Sequence, residues 1–402
     1  MYNLPGVKSK EVLEKLKRLN GDVTAPFPMV LSGKGEGCYF EDLDGNKFLD
    51  FGCQVATVPL GYNHPGLKEI IKEYIGRSPL KYAIPDFPVK EHLDLLEELL
   101  EITPKELNAA FFVNSGAEAV ENAMKIILMN RCSAKCGISF EGAFHGRTLG
   151  ALSASNSNIV HKKNLFTVSM RRLPFSVDAI EKLERILAQD VSADEIGFII
   201  IEAIQGEGGY RVAPKELIQS LRKFTKEHGI PLILDEVQAG MGRTGKWWAY
   251  QNFGITPDVM TCAKALQVGA TVSRKEAFPQ EEGAISSTWG GGQIVDLITG
   301  RAILQTIKKD HLLANITKQG EYLRQRLSEL GLENVRGFGL MNGFDLPSGK
   351  VRGEVLKNLM KRGVILLPAG SKSVRVIPPY IVSEKETDEA MEKLKICLDL
   401  SK

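Results

Sequence analysis

The spacing of apolar residues changes along the chain, and these changes outline the secondary structure. Residues 9–19 carry apolar side chains at helical spacing, which predicts a short amphipathic helix. The stretch GCYFEDLDGNKFLDFG alternates strand-like residues around Asp44-Gly45-Asn46, which predicts a β-hairpin. From about residue 89, apolar strands alternate with amphipathic helices, in the order VKEHLDLLEELLEI, AAFFV, NSGAEAVENAMKIILM, IGFIIIEAI, KELIQSLRKFTKEHG and IPLILDEV. This alternation predicts a mostly parallel sheet covered by helices on both faces.

The last hundred residues have a different pattern. The segments VRGFGLMNGFDL, GVILLPAG and SVRVIPPYIV predict strands, and they are mixed with the predicted helices EVLKNLMKRG and SEKETDEAMEKLKICL. We therefore predict an α/β fold with a large three-layer αβα domain and a smaller α+β domain. The predicted boundaries give residues 1–55 to an N-terminal segment of the small domain, 56–295 to the large domain, and 296–402 to the C-terminal small domain. A chain of 402 residues suits this division.

Composition excludes several classes of function. Fifty-one basic residues against 49 acidic ones give no strong electrostatic field, and there is no basic stripe for nucleic acid. The six histidines show no metal-binding spacing, so no metal site is predicted. The chain has neither an apolar signal segment nor a run of 18 apolar residues. The six cysteines form no CxxC pair, which is typical of reduced thiols. We expect a cytoplasmic protein that binds neither membranes nor nucleic acids.

Polar residues follow three of the predicted strands, where ligands bind in open α/β sheets. AAFFV leads into Asn114-Ser115-Gly116-Ala117 at the start of a helix, which predicts a phosphate site but is also typical of an ordinary helix cap. Glu202 ends the next strand, and Glu207 lies in the glycine-rich loop after it. Asp235 follows the apolar residues of IPLILDEV, so its carboxylate would either cap the next helix or pair with a cation, such as a cationic ring nitrogen.

Lys264 lies in the mostly apolar run PDVMTCAKALQVGATV, in which the one other charged residue is Asp258. A lysine is rarely buried unless it is paired or used chemically, so Lys264 either extends to the surface or has a chemical role. A phosphate site, a buried carboxylate and a lysine in an apolar setting together match pyridoxal phosphate. This cofactor needs an anion site, an acidic partner for its ring nitrogen, and a lysine for its Schiff base. We predict that Lys264 is this lysine and acts as nucleophile and proton carrier.

Five ordered motifs resemble the class III pyridoxal-phosphate aminotransferases over nearly the whole chain. They are NSGAEAVENAMK, FEGAFHGRTLGALSAS, IEAIQGEGGY, LILDEVQAGMGRTGKWWAYQNFGITPDVMTCAKAL and SVRVIPPYIVSEKETDEA. The resemblance implies the type I pyridoxal-phosphate-dependent transferase fold, with a mostly parallel seven-stranded sheet in the large domain. It also implies a homodimer with active sites at the subunit interface.

The resemblance implies a role for each matching residue of the cofactor site. These are the Gly116 and Ala117 backbone N–H groups for the phosphate, Phe144 and Val237 for the two ring faces, His145 beside Phe144, Asp235 for the ring nitrogen, Gln238 for the ring hydroxyl, Lys264 for covalent attachment, and Thr288 for the phosphate of the partner subunit's cofactor.

The motif SSTWGGGQIVD resembles the lysine 6-aminotransferase branch, although Gly292 stands where that branch usually has asparagine. The branch implies transfer of the side-chain amine of L-lysine to 2-oxoglutarate, which gives 2-aminoadipate 6-semialdehyde and glutamate. Arg147 would then bind the α-carboxylate of the donor, and Glu207 would pair with Arg375 until 2-oxoglutarate needs that arginine. Further substrate contacts are implied for three residues: Val55, Glu202 and Gln238.

Several alternatives remain open from the sequence. Among transaminases, the donor is alternatively 4-aminobutyrate, ornithine or acetylornithine. An aminomutase, racemase or decarboxylase of the same class would use the same cofactor. From another class, a non-enzymatic sensor of sugar phosphates or nucleotides built on this sheet would not need Lys264.

Overall fold

The structure is a computed structural model that describes residues 1–77, 84, 86–165, 167–285 and 293–401. The chain forms two compact units. One is Glu69–Ala314, and the other combines Met1–Lys68 with Asn315–Lys402. The boundaries between the two units lie after Lys68 and Ala314, whereas the boundaries between the predicted domains lie after residues 55 and 295. The domain assignment made from the sequence stays a prediction.

The unit Glu69–Ala314 is built on a seven-stranded sheet in the order β4-β12-β11-β10-β7-β5-β6. The strands are β4 (Ala109–Val113), β5 (Cys136–Phe140), β6 (Met170–Leu173), β7 (Ile196–Ile201), β10 (Leu232–Asp235), β11 (Val259–Cys262) and β12 (Gly269–Ser273). Strands β11, β10, β7, β5 and β6 pair in parallel, and β12 runs antiparallel to both of its neighbours. The predicted mostly parallel seven-stranded sheet is confirmed. Every residue of β7 and β10 is buried, as their unbroken apolar runs predicted.

The helices of this unit are α4 (Lys90–Glu101), α5 (Gly116–Met129), α6 (Leu149–Ala154), α7 (Ala179–Gln189), α8 (Lys215–Glu227) and α9 (Ile294–Lys309). The unit also has a small antiparallel pair of strands, β8 (Ile204–Gln205) and β9 (Arg211–Val212). In α5, Val120, Ala123 and Ile127 recur at helical spacing and belong to one buried cluster with Phe198 and Ile233 of the sheet. This packing holds the first turn of α5 at the carboxyl end of β4, where the phosphate site is predicted.

The other unit contains two four-stranded sheets. One has the order β1-β2-β3-β15 and the other β13-β14-β17-β16. The strands are β1 (Leu31–Glu36), β2 (Tyr39–Asp42), β3 (Lys47–Asp50), β13 (Glu333–Phe338), β14 (Met341–Asp345), β15 (Val364–Ile365), β16 (Leu367–Ala369) and β17 (Ser373–Val376). The helices are α1 (Val7–Leu19), α11 (Gly349–Lys361) and α12 (Glu384–Asp399), while α3 (Pro65–Arg77) and α10 (Leu312–Glu329) begin or end across the unit boundaries. The predicted hairpin is confirmed as β2 and β3, and α12 begins at a reciprocal cap formed by Ser383 and Glu386.

A left-handed turn, which the sequence did not predict, follows β3. In this turn, α2 (Cys53–Ala56), all four residues have φ between 46° and 72° although none is glycine. The buried carboxylate of Asp50 accepts hydrogen bonds from the backbone N–H groups of Gly52, Cys53 and Gln54 at 2.9, 2.9 and 3.1 Å. Left-handed residues other than glycine are strained, so the turn depends on these bonds.

Two expectations from composition concern thiols and membrane segments. All six cysteines are free thiols, and of these only Cys132 is exposed. Within the described ranges, no helix combines the length and apolar character needed to cross a membrane.

Candidate active site

The polar residues predicted at the strand ends lie along one edge of the seven-stranded sheet. Strands β10 and β11 are parallel neighbours, and Asp235 lies opposite Thr261. Lys264 follows Thr261 by three residues, so Asp235 and Lys264 emerge at the same carboxyl edge. Glu202 follows the parallel neighbour β7 at this edge. An open α/β sheet binds its ligands here, which makes this edge the candidate active site.

Asp235 is a buried carboxylate with fixed partners. It is 5% exposed, its Oδ2 lies 2.7 Å from Nδ1 of His145, and its Oδ1 accepts the backbone N–H of Val237 at 3.0 Å. The hydroxyl of Thr261 also donates to Oδ1 at 3.3 Å. Because a carboxylate accepts hydrogen bonds, His145 donates from Nδ1, which orients its ring. The arrangement holds a negative group in a dry place, where it can stabilise a cationic ligand group.

The first turn of α5 lies very close to the segment that contains Val237. Ser115 caps the helix by accepting the N–H of Glu118, and the helix begins at Gly116. A Cβ atom on Gly116 would lie only 2.8 Å from Cγ1 of Val237, so glycine lets the two segments meet. The N–H groups of Gly116 and Ala117 fall in the first turn, where the helix supplies no carbonyl for them. They can therefore bind an anion at the positive end of the helix dipole.

The segment between β5 and α6 contains Phe144 and His145, and several contacts fix its backbone. The N–H of Phe144 donates to Glu202 at 3.0 Å, and the N–H of His145 donates to the Ser155 hydroxyl at 2.9 Å. Gly146 has φ of 139°, and a Cβ there would lie 2.7 Å from Cβ of Ala117. The segment therefore packs directly against the first turn of α5.

Glu202 is 6% exposed, and each of its oxygens accepts a backbone N–H. Oε1 accepts from Gly206 at 2.9 Å and Oε2 from Phe144 at 3.0 Å. Burial is the main reason that the pKa of Glu202 is raised to about 7; His145 lowers this pKa and the charge of Asp235 raises it. This environment suits a residue that holds the backbone, and the predicted substrate contact of Glu202 stays a prediction.

Lys264 has an unusual backbone conformation. Its φ is +49°, and it begins a short 3-10 helix, Lys264–Leu266, with its side chain half-buried. Its carbonyl accepts both the backbone N–H and the side-chain amide of Gln267 at 2.9 and 3.0 Å. Positive φ at a residue other than glycine is costly and often marks a functional position. Here it turns the chain at the end of β11, where the sequence predicts the reactive lysine.

Arg147 has an exposed guanidinium close to Phe144. Its Nη2 lies 3.4 Å from Nε2 of His161, and its Cζ lies 5.9 Å from the centroid of the Phe144 ring. Within the part of the chain that the structure describes, no ion pair joins it to a carboxylate. A carboxylate from a small molecule could therefore bind Arg147 without displacing such a partner.

The other predicted substrate residues have known positions in the fold, and their roles stay predictions. Glu207 is half-buried in the loop after β8, and Oε1 of Gln238 is buried with no hydrogen-bond partner among the described residues. Val55 lies in the left-handed turn of the other unit, and Arg375 lies in β17 with 5% of its surface exposed. Thr288 lies outside the described residues, so its predicted contact is untested.

Sequence reasoning missed two groups that hold backbone near this edge. The Ser155 hydroxyl accepts from His145 and donates to the Gly146 carbonyl at 3.1 Å. Glu236, 1% exposed, accepts the backbone N–H groups of Ala249 and Tyr250 at 2.8 and 2.9 Å. Nothing in the local sequence around either residue indicates these partners, because the partners lie nine or more residues away.

The described residues fit pyridoxal phosphate. The first turn of α5 offers N–H donors for a phosphate, Asp235 is an acid for a protonated ring nitrogen, and Lys264 lies at the same edge. Two buried polar atoms, Gln238 Oε1 and His145 Nε2, have no partner among the described residues. Buried polar atoms normally have hydrogen-bond partners, so a polar ligand at this edge would satisfy groups that the described part of the chain leaves unsatisfied.

Fold and site together define an α/β enzyme of the pyridoxal-phosphate-dependent aminotransferase type. Residues 22–398 match the family Aminotransferase class-III. The chain belongs to the class III aminotransferases and is a transaminase that depends on pyridoxal phosphate.

Relatives within this family have different substrates in their names. The acetylornithine aminotransferase of Archaeoglobus fulgidus is 34% identical over 90% of this chain and 94% of its own. The 4-aminobutyrate aminotransferase of Dictyostelium discoideum is 30% identical over 97% and 89%. An alanine/serine racemase of Pyrococcus horikoshii is also 30% identical, over 96% and 90%. Among solved structures, the lysine aminotransferase from M. tuberculosis in the internal aldimine form has a TM-score of 0.91 and 28% identity, over 97% of this chain and 99% of that one.

Proposed function

We propose that this transaminase moves the 6-amino group of L-lysine to 2-oxoglutarate, giving 2-aminoadipate 6-semialdehyde and glutamate. The observation that carries the proposal is the likeness to the M. tuberculosis lysine aminotransferase, which spans 97% of this chain with a TM-score of 0.91. The sequence SSTWGGGQIVD, which resembles the same branch, gives further support.

A second candidate is transfer from acetylornithine or 4-aminobutyrate. The relatives with these names are 34% and 30% identical, which is higher than the 28% of the lysine enzyme. All three donors carry a terminal amine at one end and a carboxylate at the other. The chemistry that the site must perform is therefore shared, and the donor depends on the length and polarity of the pocket.

We assign the cofactor contacts as follows. Pyridoxal phosphate, when bound, supplies the electron sink that makes amino-group transfer possible. The Gly116 and Ala117 N–H groups bind the phosphate, while the Phe144 and Val237 side chains hold the two ring faces. Lys264 would attach the cofactor covalently, and its Nζ, once the incoming substrate amine has displaced it from that bond, would carry the proton that moves during transfer.

Asp235 keeps the ring nitrogen protonated through its carboxylate. His145 donates to Oδ2 of Asp235 at 2.7 Å and so fixes the direction of that carboxylate. Gln238 supplies the amide that meets the ring hydroxyl, and its buried Oε1, which has no partner among the residues that the structure describes, supports a polar ligand group there. A preorganised charge of this kind acts most strongly where water is excluded.

Two arginines are assigned to the substrates because the two substrates place their carboxylates differently. When the terminal carbon of lysine is at the reacting position, its carboxylate is several bonds away, and Arg147 binds it. When the keto carbon of 2-oxoglutarate reacts, one carboxylate is adjacent and Arg375 binds it. Glu207 pairs with Arg375 during the lysine half-reaction and releases it for 2-oxoglutarate, because an unpaired guanidinium would repel a cationic amine.

A donor screen tests the proposed function. Purified holoenzyme is given 2-oxoglutarate with lysine, acetylornithine, ornithine or 4-aminobutyrate, and glutamate formation is measured for each. We expect the highest kcat/KM with lysine. Glutamate formation from acetylornithine alone would replace lysine with the second candidate. Racemisation of alanine or serine without any glutamate formation would refute transamination by this site.

The substrate switch has its own test. Glu207→Ala should slow the half-reaction with lysine more than the half-reaction with glutamate, because Arg375 would stay exposed to the cationic amine. Stopped-flow absorbance follows the two half-reactions separately. Glu216→Ala, an exposed glutamate in the first turn of α8, is the control and should change neither rate. Equal slowing of both half-reactions would show that Glu207 is not a switch.

We also propose a cytoplasmic homodimer with active sites at the subunit interface, as the family resemblance implies. The chain has a mass of 44.3 kDa, so light scattering should give twice this value. A monomer that retains full activity would contradict the shared active site, including the predicted reach of Thr288 to the partner's phosphate.

A further inference from the structure

Two loops of the candidate active site are joined by one buried carboxylate. We define the Phe144 loop as residues 141–147 and the Glu207 loop as residues 206–210. Glu202 accepts the N–H of Phe144 in the first loop and the N–H of Gly206 in the second, at 3.0 and 2.9 Å. A second bond between neighbouring segments runs from the Gln205 side-chain amide to the carbonyl of Glu141, at 2.7 Å.

We propose that Glu202 is a positioning residue that fixes the Phe144 loop and the Glu207 loop relative to each other. Its side chain is 6% exposed, so its hydrogen bonds do not compete with bulk water. Phe144 is assigned to the cofactor ring and Glu207 to the substrate switch, so this inference rests on the proposed function. Glu202 acts through these two residues and takes no part in proton transfer itself.

The hydrogen-bond pattern requires a carboxylate with the length of glutamate. Each oxygen faces a different N–H donor, so both oxygens must be acceptors. A glutamine has one acceptor oxygen, and its NH2 group would face one of the two backbone N–H groups. An aspartate keeps the negative charge but is one methylene shorter and cannot reach both loops. The two substitutions therefore separate charge from position.

The charged groups around Glu202 give a competing explanation. His145 and Asp235 both act electrostatically on it, and Asp235 is the acid assigned to the ring nitrogen. If Glu202 mattered only as a negative charge near this pair, its position would be unimportant. Glu202→Asp would then behave like the wild type, and only Glu202→Gln would differ.

Glu236 provides a matched control within the same unit. It is also a buried glutamate, 1% exposed, and it also accepts two backbone N–H groups, from Ala249 and Tyr250. Burial raises its pKa to about 7 as well. Its partners lie in a segment that has no assigned contact with cofactor or substrate. Glu236→Gln therefore reproduces the loss of a buried acceptor, and of a negative charge beside Asp235, without affecting the two loops.

The experiment uses the holoenzymes of the wild type, Glu202→Gln, Glu202→Asp and Glu236→Gln. Cofactor release on dilution, the absorbance of the bound cofactor across pH, and the rates of the two half-reactions are measured. We expect both Glu202 variants to release cofactor about five- to tenfold more readily, which corresponds to one lost hydrogen bond. They should also change the ratio of the two half-reaction rates. Glu236→Gln should match the wild type in cofactor release and in the ratio of the half-reaction rates while showing a similar loss of thermal stability.

Three outcomes would overturn the proposal. The first is equal behaviour of Glu202→Gln and Glu236→Gln, which would mean a structural role only. The second is wild-type behaviour of Glu202→Asp, which would mean an effect of charge. The third is a raised KM for one substrate with unchanged cofactor release, which would mean direct substrate contact. Cofactor release and absorbance do not depend on the amino donor, so failure of lysine as donor leaves this experiment decisive.

Discussion

Asp50→Asn is expected to loosen the left-handed turn at Cys53–Ala56. Asp50 is 1% exposed, and its Oδ1 accepts the N–H groups of Gly52 and Cys53. Its Oδ2 accepts the N–H of Gln54 and, at 2.6 Å, the hydroxyl of Tyr62. Asparagine would keep one acceptor oxygen and would place an NH2 group against donors that now meet the other oxygen.

The magnitude follows from the two opposing contributions. A left-handed residue other than glycine costs about 1–2 kcal/mol, so four of them cost about 4–8 kcal/mol. Hydrogen bonds to a charged group contribute about 1.5–3 kcal/mol each, so the three N–H bonds contribute about 4.5–9 kcal/mol. Each oxygen of Asp50 accepts two of these bonds, so loss of the contacts at one oxygen should destabilise the turn by about 3–6 kcal/mol.

Hydrogen exchange at the amides of residues 52–54 measures this effect locally, and thermal unfolding measures it globally. Asp42→Asn is the control, since Asp42 is also buried and accepts the N–H groups of Asp44 and Asn46 at 3.0 and 2.8 Å. In the hairpin that Asp42 holds, the positive φ falls on Gly45, and glycine adopts it without strain. Asp42 therefore holds no strained residue comparable to those that Asp50 holds. Unchanged amide protection at residues 52–54 in Asp50→Asn would refute the argument. If Val55 contacts substrate as predicted, the same variant also raises the KM of the donor.

Three further predictions concern Lys264, Asp235 and Glu236. Borohydride reduction should add the cofactor mass to the peptide that contains Lys264, and Lys264→Ala should still bind cofactor but lose turnover; label on another lysine would contradict the assignment. Asp235→Asn should keep the fold and cost roughly 2.7–4 kcal/mol in activation free energy, and a near wild-type kcat would show a structural role only. For Glu236, burial raises the folded pKa to about 7 from 4.5, so its contribution to stability is complete below about pH 4.5 and is lost as the pH rises through 7. The wild type should therefore lose its advantage in free energy of unfolding over Glu236→Gln by up to about 3 kcal/mol between pH 5 and 8. A difference between the two proteins that does not change with pH would contradict the raised pKa.

The elements and the edge that binds ligands could be predicted from local pattern. AAFFV became β4, IPLILDEV contained β10, and the amphipathic stretch after Lys90 became α4. These predictions work because burial repeats with the period of the element, and that period is a local property of the sequence. The polar residues at strand ends then indicated the site, since parallel strands bring their carboxyl ends to one edge.

Residues with positive φ were harder to predict. The sequence indicated Asp44-Gly45-Asn46 as a turn because glycine accepts positive φ without strain. It did not indicate the turn at Cys53–Ala56 or the positive φ of Lys264, because none of these residues favours that conformation. Such conformations persist only when surrounding contacts hold them, as Asp50 does for the first of these.

The sequence by itself determined the class of fold, the family and the chemistry available at the site, because residue type and short-range order carry that information. Only the tertiary structure decided which groups meet. Glu202 binds the backbone of Phe144, 58 residues away, and His145 meets Asp235, 90 residues away. The partner of a buried carboxylate depends on which loops the sheet order brings together, and that order is a property of the whole unit. The same polar residues would have other partners if the strands followed a different order.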